Sequence, residues 1–342
     1  MEEKKLVYEV SIIRPLVIFL LVVFHCLCIY IGSWESIENL IRVPIYYWMA
    51  NLISGFRIET ISLVAGYIFA YQNIDLKRYI PLLSLMKKKF LRLIVPCWFF
   101  GIFYYLLIMY NYINWKESIY YILNGAGHLW FLPMLFWCFV CLWIIHHYQP
   151  NRFWTFIILS ILSILPIPSL PFGLTRMPHF AFYAYAGYCL WIYRERILEK
   201  FLKKKWIVLF IATYLVLLYI NCSLKHFGAE GYELPLYAKI LTRVLKYFTI
   251  FTGISALYLI VSSYTINPHF RPSSWIVQSS KICYGVYIFH QFILKYLYYQ
   301  TSLLEYVGSY WLPWAALGIT LPLSIILSIL FLKTKVGSFL IG

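Results

Sequence analysis

The chain has 342 residues, of which 62% are hydrophobic and only 12% charged, and its mean hydropathy is +0.74. These values exclude a soluble domain and indicate an integral membrane protein. The net charge of +16 would suit nucleic acid, but most of the excess falls in short loops on alternate sides of the apolar runs, where the positive-inside rule puts it. The expected surrounding is therefore the lipid bilayer, with no nucleic-acid partner.

Runs of roughly 20 apolar residues, the length that spans a bilayer, recur about ten times: near 12–32, 45–71, 91–111, 129–147, 153–170, 178–193, 206–222, 240–263, 276–299 and 310–332. With the N-terminus inside, nineteen of the 29 lysines and arginines fall on the inner side. Six fall outside (Arg42, Lys116, Arg176, Lys225, Lys239 and Arg243) and four lie within spans. The expectation is an all-α bundle of about ten transmembrane helices forming a single domain over 1–342. Both termini are cytoplasmic and the protein is a multi-pass component of the cell inner membrane. Glu2, Glu3, Lys4 and Lys5 precede the first run and no A-x-A-like cleavage site follows it, so it reads as a mature helix and not a signal peptide.

The first span carries Arg14 and His25. Eleven helical positions differ by only ~20° in direction and ~16 Å in height, so the two share a face, and ionisable groups at such depth usually point into protein or a wet cavity. The second span places Arg57 and Glu59 near its middle, at about the depth of His25 as counted from each entry point. A mutually neutralising pair is the bland alternative. Before the third span, Lys87-Lys88-Lys89-Phe90-Leu91-Arg92 is a basic cluster in which Lys89 and Arg92, three apart, share a helical face and suit phosphates; a topogenic cluster is the alternative. The fourth span opens with His128-Leu129-Trp130-Phe131-Leu132-Pro133, and Arg176 and His179 open the sixth. In the ninth, Tyr287-Ile288-Phe289-His290 puts an imidazole in the outer half.

The eight cysteines fall nearly all within apolar segments and read as small core hydrophobes. Cys138-x-x-Cys141 has metal or redox spacing but is flanked by apolar residues with no second pair nearby, so no metal site is read.

Taken together these elements resemble the acyltransferase-3 family of multispanning membrane O-acyltransferases. Arg14-x(10)-His25 matches that family's Arg and His pair. Ala65-Gly66-Tyr67 resembles its Ser-Gly-Tyr or Ser-Gly-Phe element, His128 to Pro133 its outer-face motif, and Tyr287-x-x-His290 its late Tyr and His pair. Phe56-Arg57-Ile58-Glu59 is similar to the branch that includes membrane proteins modifying periplasmic glucans. The chain departs from the pattern at Ala65, where Ser is usual, and at Lys89-x-x-Arg92, where two arginines are frequent; Lys offers a point charge and not a fork.

The resemblance implies transfer of an acyl group, most simply acetyl, from cytoplasmic acyl-CoA to a hydroxyl of a cell-envelope or exported glycan on the outer side. In that scheme neutral His25 is the general base, an imidazole titrating near ~6.5 being suited to the task. Glu59 orients it or balances its charge, and Arg57 steadies the oxyanion or pairs with Glu59. Arg14, Lys89 and Arg92 contact acyl-CoA, while His128, Trp130, Arg176, His179 and His290 lie near the acceptor. Acyl-CoA is the co-substrate, no metal is needed, and a covalent acyl-histidine relay stays open beside direct transfer. With no appended outer hydrolase-like domain, an intermediate carrier would require a separate periplasmic partner; a homo-oligomer is the other partner class left open. A polysaccharide or lipid-linked sugar exporter is the alternative reading, since aromatic-rich bundles with buried charges suit a sugar path as well.

Overall fold

The computed structural model describes residues 8–109, 114–165, 167–229, 236–267 and 269–342. Glu2, Glu3, Lys4 and Lys5 lie outside the described residues, as do the side chains of Lys225 and Lys239. Among the described residues every regular element is helical: α1 (Tyr8–Leu27), α2 (Pro44–Ser54), α3 (Arg57–Ala70), α4 (Leu82–Lys89), α5 (Val95–Tyr104), α6 (Trp115–Leu123), α7 (Phe131–Tyr148), α8 (Arg152–Ile164), α9 (Met177–Phe201), α10 (Lys204–Ala229), α11 (Leu236–Thr265), α12 (Ser274–Tyr299), α13 (Leu303–Leu332) and α14 (Lys335–Ile341). Short 3-10 turns occupy Cys28–Tyr30 and Gly127–Trp130, and π-helical turns occupy Tyr71–Asp75, Phe90–Ile94 and Tyr105–Met109.

Seven helical runs among the described residues are long and apolar enough to cross a membrane: Tyr8–Tyr30, Pro44–Asp75, Leu82–Ile108, Gly127–Tyr148, Lys204–Leu224, Ile240–Thr265 and Leu303–Leu332. They correspond to seven of the expected spans. Helices α9 and α12, of 25 and 26 residues, have the length but a more polar sequence. The span expected over 153–170 is half helix. Its helix stops at Ile164 and Leu165 is already extended, with ψ 142°. The cause is local: Leu165 precedes Pro166, which disfavours the helical region for it, and Pro168 and Pro171 follow without the N–H groups a helix needs.

The chain divides into two compact units. The first comprises Met1–Trp34, Val43–Ile61 and Tyr193–Ser280. Here α1 packs on α2 and α11, and α10 and α11 form an antiparallel pair. Asn221 Nδ2 of α10 donates to Thr249 Oγ1 of α11 over 2.7 Å, a polar tie of the kind that holds helices together in lipid, worth ~1 kcal/mol. The second expected span is broken in this unit at Gly55 and Phe56, between α2 and α3. A break orphans carbonyls at the end of the first piece, and the Tyr214 phenol of α10 donates to one of them, the Leu52 carbonyl. Tyr214, Leu218 and Cys222 form the buried stripe against which Tyr47 and Phe56 pack.

The second unit comprises Glu35–Arg42, Ser62–Ile192 and Lys281–Gly342. Its tightest contact is reciprocal. A methyl group at Gly66 of α3 would collide with the Ala184 carbonyl of α9, and one at Gly187 of α9 would collide with the Leu63 carbonyl of α3. Two small residues thus let the helix backbones touch, as small residues do in membrane bundles. Tyr67 then meets Trp191 edge-on with ring centroids 4.9 Å apart, and Trp191 Nε1 donates to Asp75 Oδ1 over 3.1 Å. Elsewhere in the unit, Gly285 of α12 lies against Ser328 of α13 and Ile341 of α14.

Candidate active site

Among its described residues the first unit buries several ionisable groups around the end of α1 and the start of α3. After α1 the 3-10 turn leads to Gly32, whose φ of 68° turns the chain back. The amides of Ser33 and Trp34 both reach the Cys28 carbonyl, at 3.1 and 3.4 Å. The result is a stack: the Trp34 indole lies against the His25 imidazole, centroids 5.6 Å apart and planes within 14°. His25 is buried, and the stack restricts the plane of its ring.

Arg57 opens α3 and is buried with its guanidinium 3.4 Å from the centroid of Phe24, the residue before His25. Cation–π contact of this kind gains strength on desolvation, to about 2 kcal/mol. Arg57 Nε is buried without a hydrogen-bond partner. Glu59, also buried, and Cys28 are close enough to interact electrostatically with Arg57. Trp34, His25, Phe24 and Arg57 thus form a chain of ring contacts, with Glu59 in electrostatic range of Arg57. Arg14, two turns into α1, is exposed where His25 is buried; from the helical rise alone they are ~16 Å apart.

The other sequence-selected residues lie in the second unit. His128 is buried with both ring nitrogens engaged: Nδ1 lies 2.6 Å from Gln291 Oε1 and Nε2 lies 3.0 Å from the Ile288 carbonyl. Its own amide donates to the same Gln291 Oε1 over 2.9 Å, which identifies that atom as the oxygen, since an N–H only donates. The Tyr287 hydroxyl donates to the His128 carbonyl. His290 is fully buried, its ring 5.0 Å from that of His128 and its Nδ1 3.1 Å from the Val286 carbonyl. Half-buried Trp130 carries the Arg176 guanidinium 4.0 Å from its ring, and His179 packs on Phe180 and Tyr183.

Lys89 and Arg92 do not share the α-helical face expected of them. The π turn Phe90–Ile94 begins directly after Lys89, and its i→i+5 pairing widens the angle between residues three apart. The Lys89 ammonium folds inward to 3.4 Å from the Phe139 centroid, while Arg92 stays exposed and its carbonyl accepts from the Tyr284 hydroxyl at 3.0 Å.

Sequence reasoning missed Trp34 and Gln291. Trp34 lies beyond the apolar run and meets His25 only through a turn, so no helical period announces it. Gln291 follows His290 directly, and that adjacency was the available signal. Among the described residues no group of three or more His, Cys, Asp or Glu side chains is placed to hold a metal ion.

Compared with known families, residues 7–333 match the acyltransferase-3 model, described as an acyltransferase domain. Comparison with curated proteins and with solved structures gave no match.

Proposed function

Because the chain belongs to the acyltransferase-3 family, and is on that ground a membrane acyltransferase, we propose that it moves an acyl group, acetyl foremost, from cytoplasmic acyl-CoA to a hydroxyl of a cell-envelope or exported glycan. The observation that carries the reading is the buried cluster around His25, with its imidazole stacked on Trp34 and a buried guanidinium on the neighbouring Phe24. Each buried ionisable group costs free energy in a low-dielectric setting, and such groups inside a membrane bundle usually mark a functional site.

In the proposed reaction neutral His25 takes the proton of the acceptor hydroxyl as its oxygen attacks the thioester carbonyl. Arg57 faces the negative charge that develops on the carbonyl oxygen, and Glu59 balances the imidazolium that forms. Collapse of the tetrahedral intermediate breaks the C–S bond, and the CoA thiolate takes up a proton to leave as the thiol. Arg14, Lys89 and Arg92 serve the donor phosphates. Trp130, Arg176 and His179 serve the acceptor, with His128 and His290 holding the turn that carries Trp130. The inner-membrane location and cytoplasmic termini are supported by the excess of Lys and Arg in alternate loops.

The test is purified protein in detergent with radiolabelled acetyl-CoA, then succinyl-CoA, comparing wild type with His25→Ala. Loss of donor turnover in the variant, at unchanged protein level, is the expected result. A variant as active as wild type would remove His25 from the mechanism, and a wild type that neither binds nor consumes either donor would overturn the acyl-CoA reading.

A further inference from the structure

Helix α2 ends and α3 begins within two residues, Gly55 and Phe56, so whatever holds those two residues also sets where Arg57 and Glu59 stand. Carbonyls left over at the end of α2 are met from two directions. That of Asn51 accepts from the Ser54 hydroxyl of the same helix at 3.1 Å, a local bond that travels with the chain. That of Leu52 accepts from Tyr214 of α10, 162 positions away, and so ties the segment to a second helix.

The fit around that phenol is close. A methyl group at Gly55 would stand 2.6 Å from the Tyr214 hydroxyl, and one at Gly253 of α11 would stand 2.9 Å from ring carbons of both Tyr214 and Phe56. A side chain at either position would push the ring aside. Phe56 meets Tyr214 edge-on, with centroids 5.6 Å apart, and its carbonyl accepts both the amide and the hydroxyl of Thr60, at 3.0 and 2.7 Å. The residue held by Tyr214 is thus the one on which the first turn of α3 closes. Arg57 follows it directly, and Glu59 lies in electrostatic range of the Tyr214 hydroxyl. Packing alone would be served by a phenylalanine; the hydroxyl adds a directed bond.

We propose that Tyr214 is a positioning residue for the reaction: its hydroxyl, by holding the Leu52 carbonyl, and its ring, by holding Phe56, set the placement of the Arg57 guanidinium on Phe24, beside His25. This rests on the acyltransferase reading, in which Arg57 faces the negative charge that develops on the carbonyl oxygen. A catalytic group displaced by ~1 Å costs up to ~100-fold in rate. Tyr214 acts through Arg57 and not on the substrate.

The test is Tyr214→Phe in purified full-length protein, which keeps the ring and removes the tie. For acetyl-CoA turnover kcat is expected to fall roughly 10- to 100-fold, with KM for the donor within about twofold of wild type. Independently of activity, hydrogen exchange read by mass spectrometry should quicken about tenfold in the amides of 52–60 and stay unchanged in 255–265. Leu218→Ala, in the same buried stripe of α10, is the control for lost stability: it should lower the melting temperature at least as much as Tyr214→Phe yet leave kcat near wild type. Gly253→Ala, which crowds the ring from α11, should reproduce the fall in kcat, and it is judged by the same readouts should Tyr214→Phe not fold. Faster exchange with kcat unchanged makes the tie structural only and overturns the proposal, as does an equal fall in kcat in Leu218→Ala. A fall in kcat without faster exchange puts Tyr214 on the reacting groups themselves and overturns it too. Wild type that consumes neither acetyl-CoA nor succinyl-CoA ends the acyltransferase reading and the positioning role with it, whereas active wild type with an equally active Tyr214→Phe ends the positioning role alone.

Discussion

The His25 imidazole lies flat on the Trp34 indole, nine residues later in the chain, with ring centroids 5.6 Å apart. The stack sets the plane of the imidazole, and small misplacement of a catalytic group costs up to ~100-fold in rate. Trp34→Ala should lower kcat roughly 10- to 100-fold with little change in KM for the donor, and Trp34→Phe should recover most of it. Steady-state donor consumption measures both; equal kcat in wild type and Trp34→Ala would show that the stack does no positioning.

Arg57 and Glu59 are buried in one cluster, and removing one member of such a set leaves the other uncompensated, at a cost of ~3–5 kcal/mol. Arg57→Met and Glu59→Gln should each lower the unfolding temperature in detergent. The double variant should lose less than the two separate losses combined, with a coupling of ~1 kcal/mol or more. Additive losses would mean that the two side chains do not sense each other.

The contact of α3 with α9 has no room for a side chain at either glycine. Gly66→Ala and Gly187→Ala force the helices apart and should each destabilise by ~1–3 kcal/mol or more, seen as a lower yield of monodisperse protein. Gly318 provides the internal control. It is helical, with nothing within 4 Å of an added methyl, so Gly318→Ala should be neutral or stabilising by up to ~1 kcal/mol.

Gln291 Oε1 receives the His128 amide and lies 2.6 Å from its ring nitrogen. Gln291→Leu leaves these buried groups without their acceptor, a loss of ~1–3 kcal/mol, and frees the turn that carries Trp130. Thermal unfolding should shift down, and KM for the acceptor should rise more than KM for acyl-CoA. An unshifted melting curve would show that water replaces the amide.

The membrane class and seven of the crossing runs were legible because apolar run length is a local signal, and His25, Arg57 and Glu59 stood out because misplaced charge is one. The break at Gly55 was hidden inside one continuous apolar run, where composition does not change across it. Leu165 to Arg176 reads as apolar because its residues are, although Pro166, Pro168 and Pro171 were the sign that backbone, and not hydropathy, decides that stretch. The face assigned to Lys89 and Arg92 rested on α-helical spacing, which a single π turn resets. Tyr287 was singled out only as half of the Tyr and His pair; its bond to the His128 carbonyl is a long-range pairing that spacing does not encode.

The interruption between α2 and α3 also shapes the field around the cluster. The N-terminal end of a helix carries a partial charge equivalent to about half a positive charge, and Arg57 and Glu59 stand in the first turn of α3. That partial charge belongs to peptide groups, so it neither titrates nor dissociates. An anionic intermediate formed beside it would meet positive potential from two sources, one carried by a side chain and one by the backbone, and only the first is removed by mutation.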